Sequence, residues 1–470
     1  MGVKFINEKI SEISKEKSLR FDFDFLEYYQ KKSKDKYYQF KELFHFYKGD
    51  LDVLPEDNFL YAQIWDTTKD GDVMPVDLNF SERNEINEDY YKKIEKWDIM
   101  YAEIWNILLS KVRPNLRKFI RIDEDNNQVL FTKAFLNLKP TTLWKILYYW
   151  FRTIFYEDLL AISRQWKWYP TLKEDDLLYL KFDKSLIDKL KLGENTIISQ
   201  IEPIERKIKQ LKSTIKPIQE VIDWIFSREF SFNIDKYNSL KYIKSWNRLI
   251  SDISTDLIRF TSIQLSPSSK FLQDFLSKEN TSDLNDFLTQ DIKRWTQPIY
   301  VEEWIPVVKT KDIQWWKVID ENFEYVPEDF FEQKKEKEIL KYDILLTSTW
   351  MWRWKFALYD YDEKAIADSH VSIIRFDRNK INYKFLNFYL QSFFGTGQLK
   401  YIEMQTKGTP EIYEQQLKYL KIINVSKEIQ ERIVEEIQAE IDKQDKIRKE
   451  IQQERNRIDE IIEKVILSNE

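Results

Sequence analysis

The same order of segments occurs twice along this chain, and that repetition constrains the fold more than any other feature. WNILLSKVRPNLRKFIRID (residues 105–123) lies over YDILLTSTWMWRWKFALYD (342–360) without a gap. Ile107, Leu108 and Leu109 fall on Ile344, Leu345 and Leu346, and Lys118, Phe119 and Asp123 fall on Lys355, Phe356 and Asp360. Further on, WKILYYWF (144–151) lies over YKFLNFYL (383–390), and WYPTLKEDDLLYLK (168–181) over GTPEIYEQQLKYLK (408–421). In the last pair Pro170, Leu177, Tyr179 and Leu180 meet Pro410, Leu417, Tyr419 and Leu420. The separation stays at about 237 to 240 residues throughout. The chain of 470 residues therefore reads as one globular domain of roughly 190 residues written twice. Within the copies, YAQIWDTT, WDIMYAEI, NILLSKV, IPVVKTKDI, YDILLTST and HVSIIRF read as short strands. WKILYYWF and YKFLNFYL read as helices, so each copy is expected to be α+β.

Each copy is followed by a stretch with a heptad beat. After the first, Ile201, Ile204, Ile208, Leu211, Ile215, Ile218, Ile222 and Ile225 step by three and four. After the second, Ile437, Ile441, Gln444, Arg448, Ile451, Arg455, Ile458, Ile462 and Val465 keep a similar beat, weakened by the three polar members. Pro203 suits a first helical turn, and Pro217 is expected to kink or break its helix. The C-terminal stretch, from about Ser426 to Leu467, holds neither Pro nor Gly, and at ~1.5 Å per residue it would run about 60 Å. Neither apolar stripe can be hidden by its own helix. Either the two helices pack antiparallel, holding the copies at opposite ends of a rigid spacer, or each docks on its own domain; pairing covers both stripes at once. The expected division is 1–190 for the first domain, 191–227 for the central helix, 228–425 for the second domain and 426–470 for the C-terminal helix.

Composition excludes much chemistry. Without cysteine there is no disulfide, thiol catalysis or zinc–thiolate site. His45 and His370 are the two histidines, too few for a multi-histidine metal site, and His370 reads as structural or groove-facing. Neither a G-x-x-x-x-G-K-[ST] phosphate loop nor a G-x-G-x-x-G turn occurs, nor the Asn-Pro-Pro-aromatic mark of adenine methyltransferases. Acid pairs such as Asp175 and Asp176 are cheap among 80 acidic residues and read as solvated. No catalytic residue, metal ligand or cofactor site is expected in this chain. With 74 basic against 80 acidic residues the formal net charge is −6, which argues against a uniform basic coat and leaves room for a local basic face. MGVKFINEKISEISKEK lacks the apolar core of a signal peptide. The most apolar stretch, LWKILYYWFRTIFYEDLLAI, carries Lys145, Arg152, Glu157 and Asp158 and reads as a buried amphipathic helix rather than a membrane span. A cytoplasmic protein without a membrane partner is the expectation.

The segments RFDFDFLEYYQ (20–30), NILLSKVRPNL (106–116), WIPVVKTKDIQWWKVI (304–319), YDILLTST (342–349), ADSHVSIIRFD (367–377) and KGTPEIYEQQLKYLKI (407–422) resemble the specificity subunit of Type I restriction–modification enzymes. So do the heptad helices and VIDWIFSREF (221–230) between the halves, and the resemblance covers nearly the whole chain. It implies an α+β protein with two duplicated target-recognition domains, joined by two long helices packed as an antiparallel coiled coil. Each domain would read one half of a bipartite site in double-stranded DNA, and the helices would set the gap. The family is non-catalytic. It carries methyltransferase (modification) subunits, which use S-adenosylmethionine, and through them the restriction/translocase subunit. The same build would serve the recognition subunit of a related restriction system; a coiled-coil adaptor that binds no nucleic acid is the reading from another class.

The chain departs from this family at its glycines. Ordinary usage of ~7% gives roughly 33 in this length; the chain has 7, with 16 tryptophans. Tryptophan stands where such sequences show glycine: Trp97, Trp304, Trp315, Trp316, Trp350, Trp352 and Trp354. The repeat agrees independently, because Trp168 falls on Gly408, whereas Trp144 and Trp150 fall on Tyr383 and Tyr389 and read as ordinary apolar residues. The alternating indoles of TSTWMWRWKFALYD are otherwise a strand ladder or a base-stacking platform. A bulky residue in a glycine turn costs ~1–2 kcal/mol, and about ten of them would consume a domain's ~5–15 kcal/mol margin. Many of these codons are therefore expected to be UGA, in a host that reads UGA as glycine.

Base reading needs donors and acceptors at the groove and cations on the phosphates. In copy one, the loop after NILLSKV offers Lys111, Arg113, Asn115, Arg117 and Lys118; in copy two, the loop after YDILLTST offers Thr347, Ser348, Arg353 and Lys355. A second loop leads into the shared proline, with Arg164, Gln165 and Lys167 in one copy and Gln405, Lys407 and Thr409 in the other. Lys309 and Lys311 extend the copy-two surface. Each taken singly also fits a solvated surface residue. The seam that would join the helices is Ile201, Ile204, Ile208, Leu211 and Ile215 with Ile437, Ile441, Ile451, Ile458 and Ile462.

Overall fold

The computed structural model of the chain describes residues 28, 36–83, 87–153, 155–165, 169–241, 266–293, 300–301, 303–314, 316–319, 323–347, 354–402, 404–406 and 409–467. The chain divides into two compact units, Met1–Ser213 with Lys449–Glu470, and Thr214–Arg448. Among the described residues no helix is long and apolar enough to cross a membrane.

In the first unit a four-stranded antiparallel sheet runs Phe44–Phe46, Phe135–Pro140, Ile107–Ser110, Phe119–Arg121. The central strand, ILLS, is buried along its whole length, which is why it reads as an apolar run rather than an alternation. A second sheet runs Val76–Leu78, Phe59–Ala62, Val129–Phe131, the last pair parallel. The helix Trp144–Arg152 buries Ile146, Leu147, Trp150 and Phe151. Tyr37–Gln39 pairs with Lys181–Asp183, and Arg164–Gln165 with Pro170–Thr171.

The second unit repeats these pairings. Ile344–Thr347 lies between Val371–Ile374 and Phe356–Leu358, and the sheet continues through Trp316–Val318 to Ile313–Gln314. Leu109 faces Phe119 in one unit, and Leu346 faces Phe356 in the other. A second sheet runs Glu324–Val326, Ile305–Val308, Ala365–Ala367, Glu338–Ile339, with Ile305–Val308 parallel to Ala365–Ala367. The helix Tyr383–Gln391 follows, then the hairpin Met404–Thr406 with Thr409–Glu411, and Lys421–Ile423 pairs with Thr281–Asp283. Even a side-chain pair recurs: Trp105 lies against Trp144 at 3.7 Å between ring centroids, and the aligned Tyr342 against Tyr383 at 4.3 Å.

Three sequence expectations need correction here. YAQIWDTT is not a strand along its length: strand pairing ends at Ala62, and Ile64–Asp66 forms a 3-10 turn. WDIMYAEI is no strand: its ordered pairing is a single bridge from Met100 to Phe131, because the backbone turns left-handed at Trp97 (φ 60°) and Trp105 (φ 80°) on either side. Pro203 is not in a first turn. The helix begins at Lys184 and runs to Ser213, so Pro203 sits in its interior, where it removes one backbone donor. Pro217 behaves as expected: the helix stops at Ser213 and a new one starts at Ile218, with Pro217 as its N-cap residue.

The C-terminal helix, Lys427–Leu467, has 41 residues; those up to Arg448 belong to the second unit and the rest to the first. In the second unit Lys216, Arg228 and Glu229 meet Gln444, Glu436 and Arg432, so Ile218–Glu229 and this helix run antiparallel there. In the first unit Lys207 pairs with Glu450 at 2.7 Å and Glu454 at 2.8 Å. Ile201, Ile204 and Ile208 are buried, as are Ile437, Ile441, Ile451, Ile458 and Ile462, while Leu211 and Ile215 are half-buried. Gln444 is buried beneath the helix break, where its Oε1 accepts from the Lys216 backbone N–H at 3.2 Å.

Candidate nucleic-acid interface

In the first unit the strand Ile107–Ser110 leads into the basic loop 111–118. The loop is stitched to the hairpin of the second candidate loop: Val112 bridges Thr171, the Arg113 N–H donates to the Pro170 carbonyl at 3.0 Å, and the Leu172 N–H to the Lys111 carbonyl at 2.8 Å. Two loops some fifty residues apart in sequence thus form one surface.

A short 3-10 turn, Pro114–Leu116, sits in the loop between two left-handed arginines, Arg113 (φ 51°) and Arg117 (φ 53°). That backbone aims both side chains back over tyrosines. The Arg113 guanidinium lies 5.1 Å from the Tyr169 ring centroid and that of Arg117 3.8 Å from the Tyr156 centroid. Tyr156 Oη also donates to the Asn115 carbonyl at 2.9 Å. Arg113, Asn115 and Arg117 are exposed. A guanidinium stacked on a ring keeps its edge of N–H donors free for a planar acceptor such as a phosphate or a guanine edge.

The other cations of this loop are placed differently. Lys111 Nζ donates to the Lys133 carbonyl at 2.7 Å and Lys118 Nζ to the Ile64 carbonyl at 2.9 Å. Burial pushes both ammonium groups below the usual lysine range. They buttress the loop from beneath. Asp176 is not solvated as the sequence suggested: its carboxylate is fully buried and accepts from Arg164 Nε at 2.8 Å, which holds the hairpin base against the turn that follows it, while Asp175 is exposed.

In the second unit Thr347 is buried and exchanges bonds with Lys355: its Oγ1 accepts from the Lys355 N–H at 3.0 Å, and its own N–H donates to the Lys355 carbonyl at 3.1 Å. Lys355 is half-buried and its pKa is lowered by desolvation. Lys309 lies 3.6 Å from the Tyr300 ring centroid and pairs with Glu324, which also faces Lys311 at 3.6 Å. Gln165, Gln405 and Thr409 lie in the backbone of hairpin strands. Ser348, Arg353, Lys167 and Lys407 lie outside the described residues, as do Trp168, Trp315, Trp350 and Trp352. Among the described residues no group of three or more His, Asp or Glu side chains is arranged to hold a metal. The tyrosine supports, Tyr156 and Tyr169, were missed by sequence reasoning because each lies in a segment with an apolar or turn role of its own.

No family model and no curated protein matches the chain. Solved structures similar to it come from Type I restriction–modification systems. One is the HsdS subunit from Thermoanaerobacter tengcongensis, at 11% identity and TM-score 0.33, covering 91% of this chain and 95% of that one. Another is the Type I restriction–modification system S subunit from M. genitalium, at 14% identity and TM-score 0.39, covering 91% and 95%. A third comes from a study of complex assembly and conformational transition of the Type I R-M system, at 12% identity and TM-score 0.36, covering 91% and 96%.

Proposed function

We propose that this chain is a non-catalytic, DNA-reading specificity subunit of the Type I restriction–modification kind. Two copies of one domain read the two halves of a bipartite duplex site, and the helices form a coiled-coil spacer. Methyltransferase subunits, which bring S-adenosylmethionine, dock on the chain and through them a restriction/translocase subunit. The observation that carries this reading is the recurrence of one strand-pairing scheme in both units, with the candidate loop leaving the same strand in each. The two loops differ in their side chains while the framework is kept, as two readers of different bases require. Stacked arginines beside an exposed asparagine supply the donor geometry for guanine, adenine and phosphate.

The test is to co-express the chain with its methyltransferase partner and sequence the host methylome. The expected result is adenine methylation at one asymmetric, two-part motif with a fixed gap. An active complex that methylates at no motif, or at a single undivided one, excludes this reading and favours the adaptor.

A further inference from the structure

We propose that a charge clamp around the turn Asp70–Gly71–Asp72 sets the tilt of the first reader on its helices, and with it the gap accepted between half-sites. This rests on the DNA-reading function above. Arg455, on the C-terminal helix, spans both carboxylates, with Nη1 2.7 Å from Asp70 and Nη2 2.6 Å from Asp72. Lys212, on the helix Lys184–Ser213, closes on Asp72 from the other side. Arg152, the last residue of the helix Trp144–Arg152, reaches Asp70 at 3.4 Å.

The turn is as tight as it is because residue 71 is glycine. Its φ is +80°, and a Cβ there would stand 2.1 Å from the Tyr148 hydroxyl and 2.8 Å from the Phe119 carbonyl oxygen. Phe119 opens the strand that pairs with Ile107–Ser110, the strand that issues the basic loop. The clamp therefore bears directly on the sheet that carries the candidate reading surface.

A second fastening lies beside it. Arg121, at the end of the same strand, pairs with Glu205 at 2.5 Å, and Tyr149 Oη donates to Glu205 at 2.6 Å. Glu205 and Lys212 are one heptad apart on one face of their helix, about 10 Å along the axis. With Arg455 on the other helix, the attachment points do not lie on one line, so they fix tilt as well as position. Asp70, Arg152 and Arg455 are each about 17–18% exposed, so salt screens them less than a surface pair. Without Arg455, each carboxylate keeps one cation, Arg152 on Asp70 and Lys212 on Asp72, but the turn loses its tie to the C-terminal helix.

The test uses the full chain in complex with its methyltransferase partner, carrying Arg455→Gln, Arg455→Lys or Lys212→Gln. Methylation is measured on duplexes holding both half-sites at the natural gap and at gaps one or two base pairs shorter and longer, with melting temperatures recorded in parallel. Wild type is expected to favour the natural gap by roughly tenfold or more, and R455Q to fall below roughly threefold with half-site bases unchanged. R455K keeps the charge but not the two-pronged grip and falls between; K212Q, which removes one arm, gives a smaller loss of the same preference. Variants that melt earlier but keep the full gap preference give the clamp a structural role only and overturn the proposal, as does a changed base preference in either half-site. A wild-type complex that methylates no two-part site overturns the DNA-reading function itself, before the variants are compared.

Discussion

Left-handed backbone is where residue identity costs most. Trp97 and Trp304 were expected at glycine positions, and they stand at φ 60° and 128°. The second value lies outside even the small left-handed region open to L-residues. Trp105 (φ 80°) argues less, because the aligned Tyr342 adopts φ 76° with a side chain that no UGA codon explains. Trp354 is packed, 9% exposed, in the apolar cluster with Ile344 and Phe356, and Trp316 sits in a regular strand, so neither supplies a backbone argument of this kind. Trp304→Gly is expected to raise stability by about 1 kcal/mol, since the indole is 69% exposed and loses little packing, while the strain of ~1–2 kcal/mol is relieved. Thermal melting checks this, and the gene settles the recoding, because a UGG codon at 304 ends it there.

A second residue-scale prediction concerns Asp223. It is half-buried, its Oδ1 accepts from the Phe393 N–H at 2.7 Å and from Gln219 at 2.9 Å, and desolvation raises its pKa from 3.8 to about 6. Between pH 4 and 6 the unfolded chain has already released this proton and the folded one has not, so stability falls as pH rises through that window and is flat above it. The difference amounts to ~3 kcal/mol. Asp223→Asn should remove this slope and stabilise the second unit at pH 7, read by denaturant unfolding across pH 4–7.

At the scale of elements, the polar members of the second heptad seam are not flaws. Arg455 reaches the Asp70–Asp72 turn, Arg448 is exposed and pairs with Asp445 at 2.8 Å, and Gln444 serves the helix break. The heptad rule reads such positions as weakness because it sees only the partner stripe, whereas a break in the facing helix leaves backbone N–H groups that need an acceptor. Gln444→Leu would restore the apolar beat yet leave the Lys216 N–H without its buried acceptor. It should destabilise by ~1–3 kcal/mol, seen as a lower urea midpoint and faster hydrogen exchange at the Lys216 amide.

At the scale of the molecule, the sequence by itself determined what repeats and what is buried. Apolar runs such as ILLS and ILLT announce central strands, and the isoleucine beat announces long helices, because burial of a face dictates residue type position by position. The segments that align in sequence carry like strand pairings, Leu109 with Phe119 and Leu346 with Phe356. Sequence did not reveal the strands Phe119–Arg121 and Val129–Phe131, whose few residues carry too little pattern, nor the failed strand at 97–104, where two left-handed turns override an apolar alternation. Tertiary structure alone decided which cations face outward. Lys111 and Arg113 are near neighbours in one basic loop, yet one ammonium is spent on a backbone carbonyl and the other guanidinium is held over a ring. It alone joined Asp72 to Arg455, on opposite ends of the chain. Local sequence encodes the environment each residue prefers, whereas the partner of a charge is set by where distant segments of the folded chain come to rest.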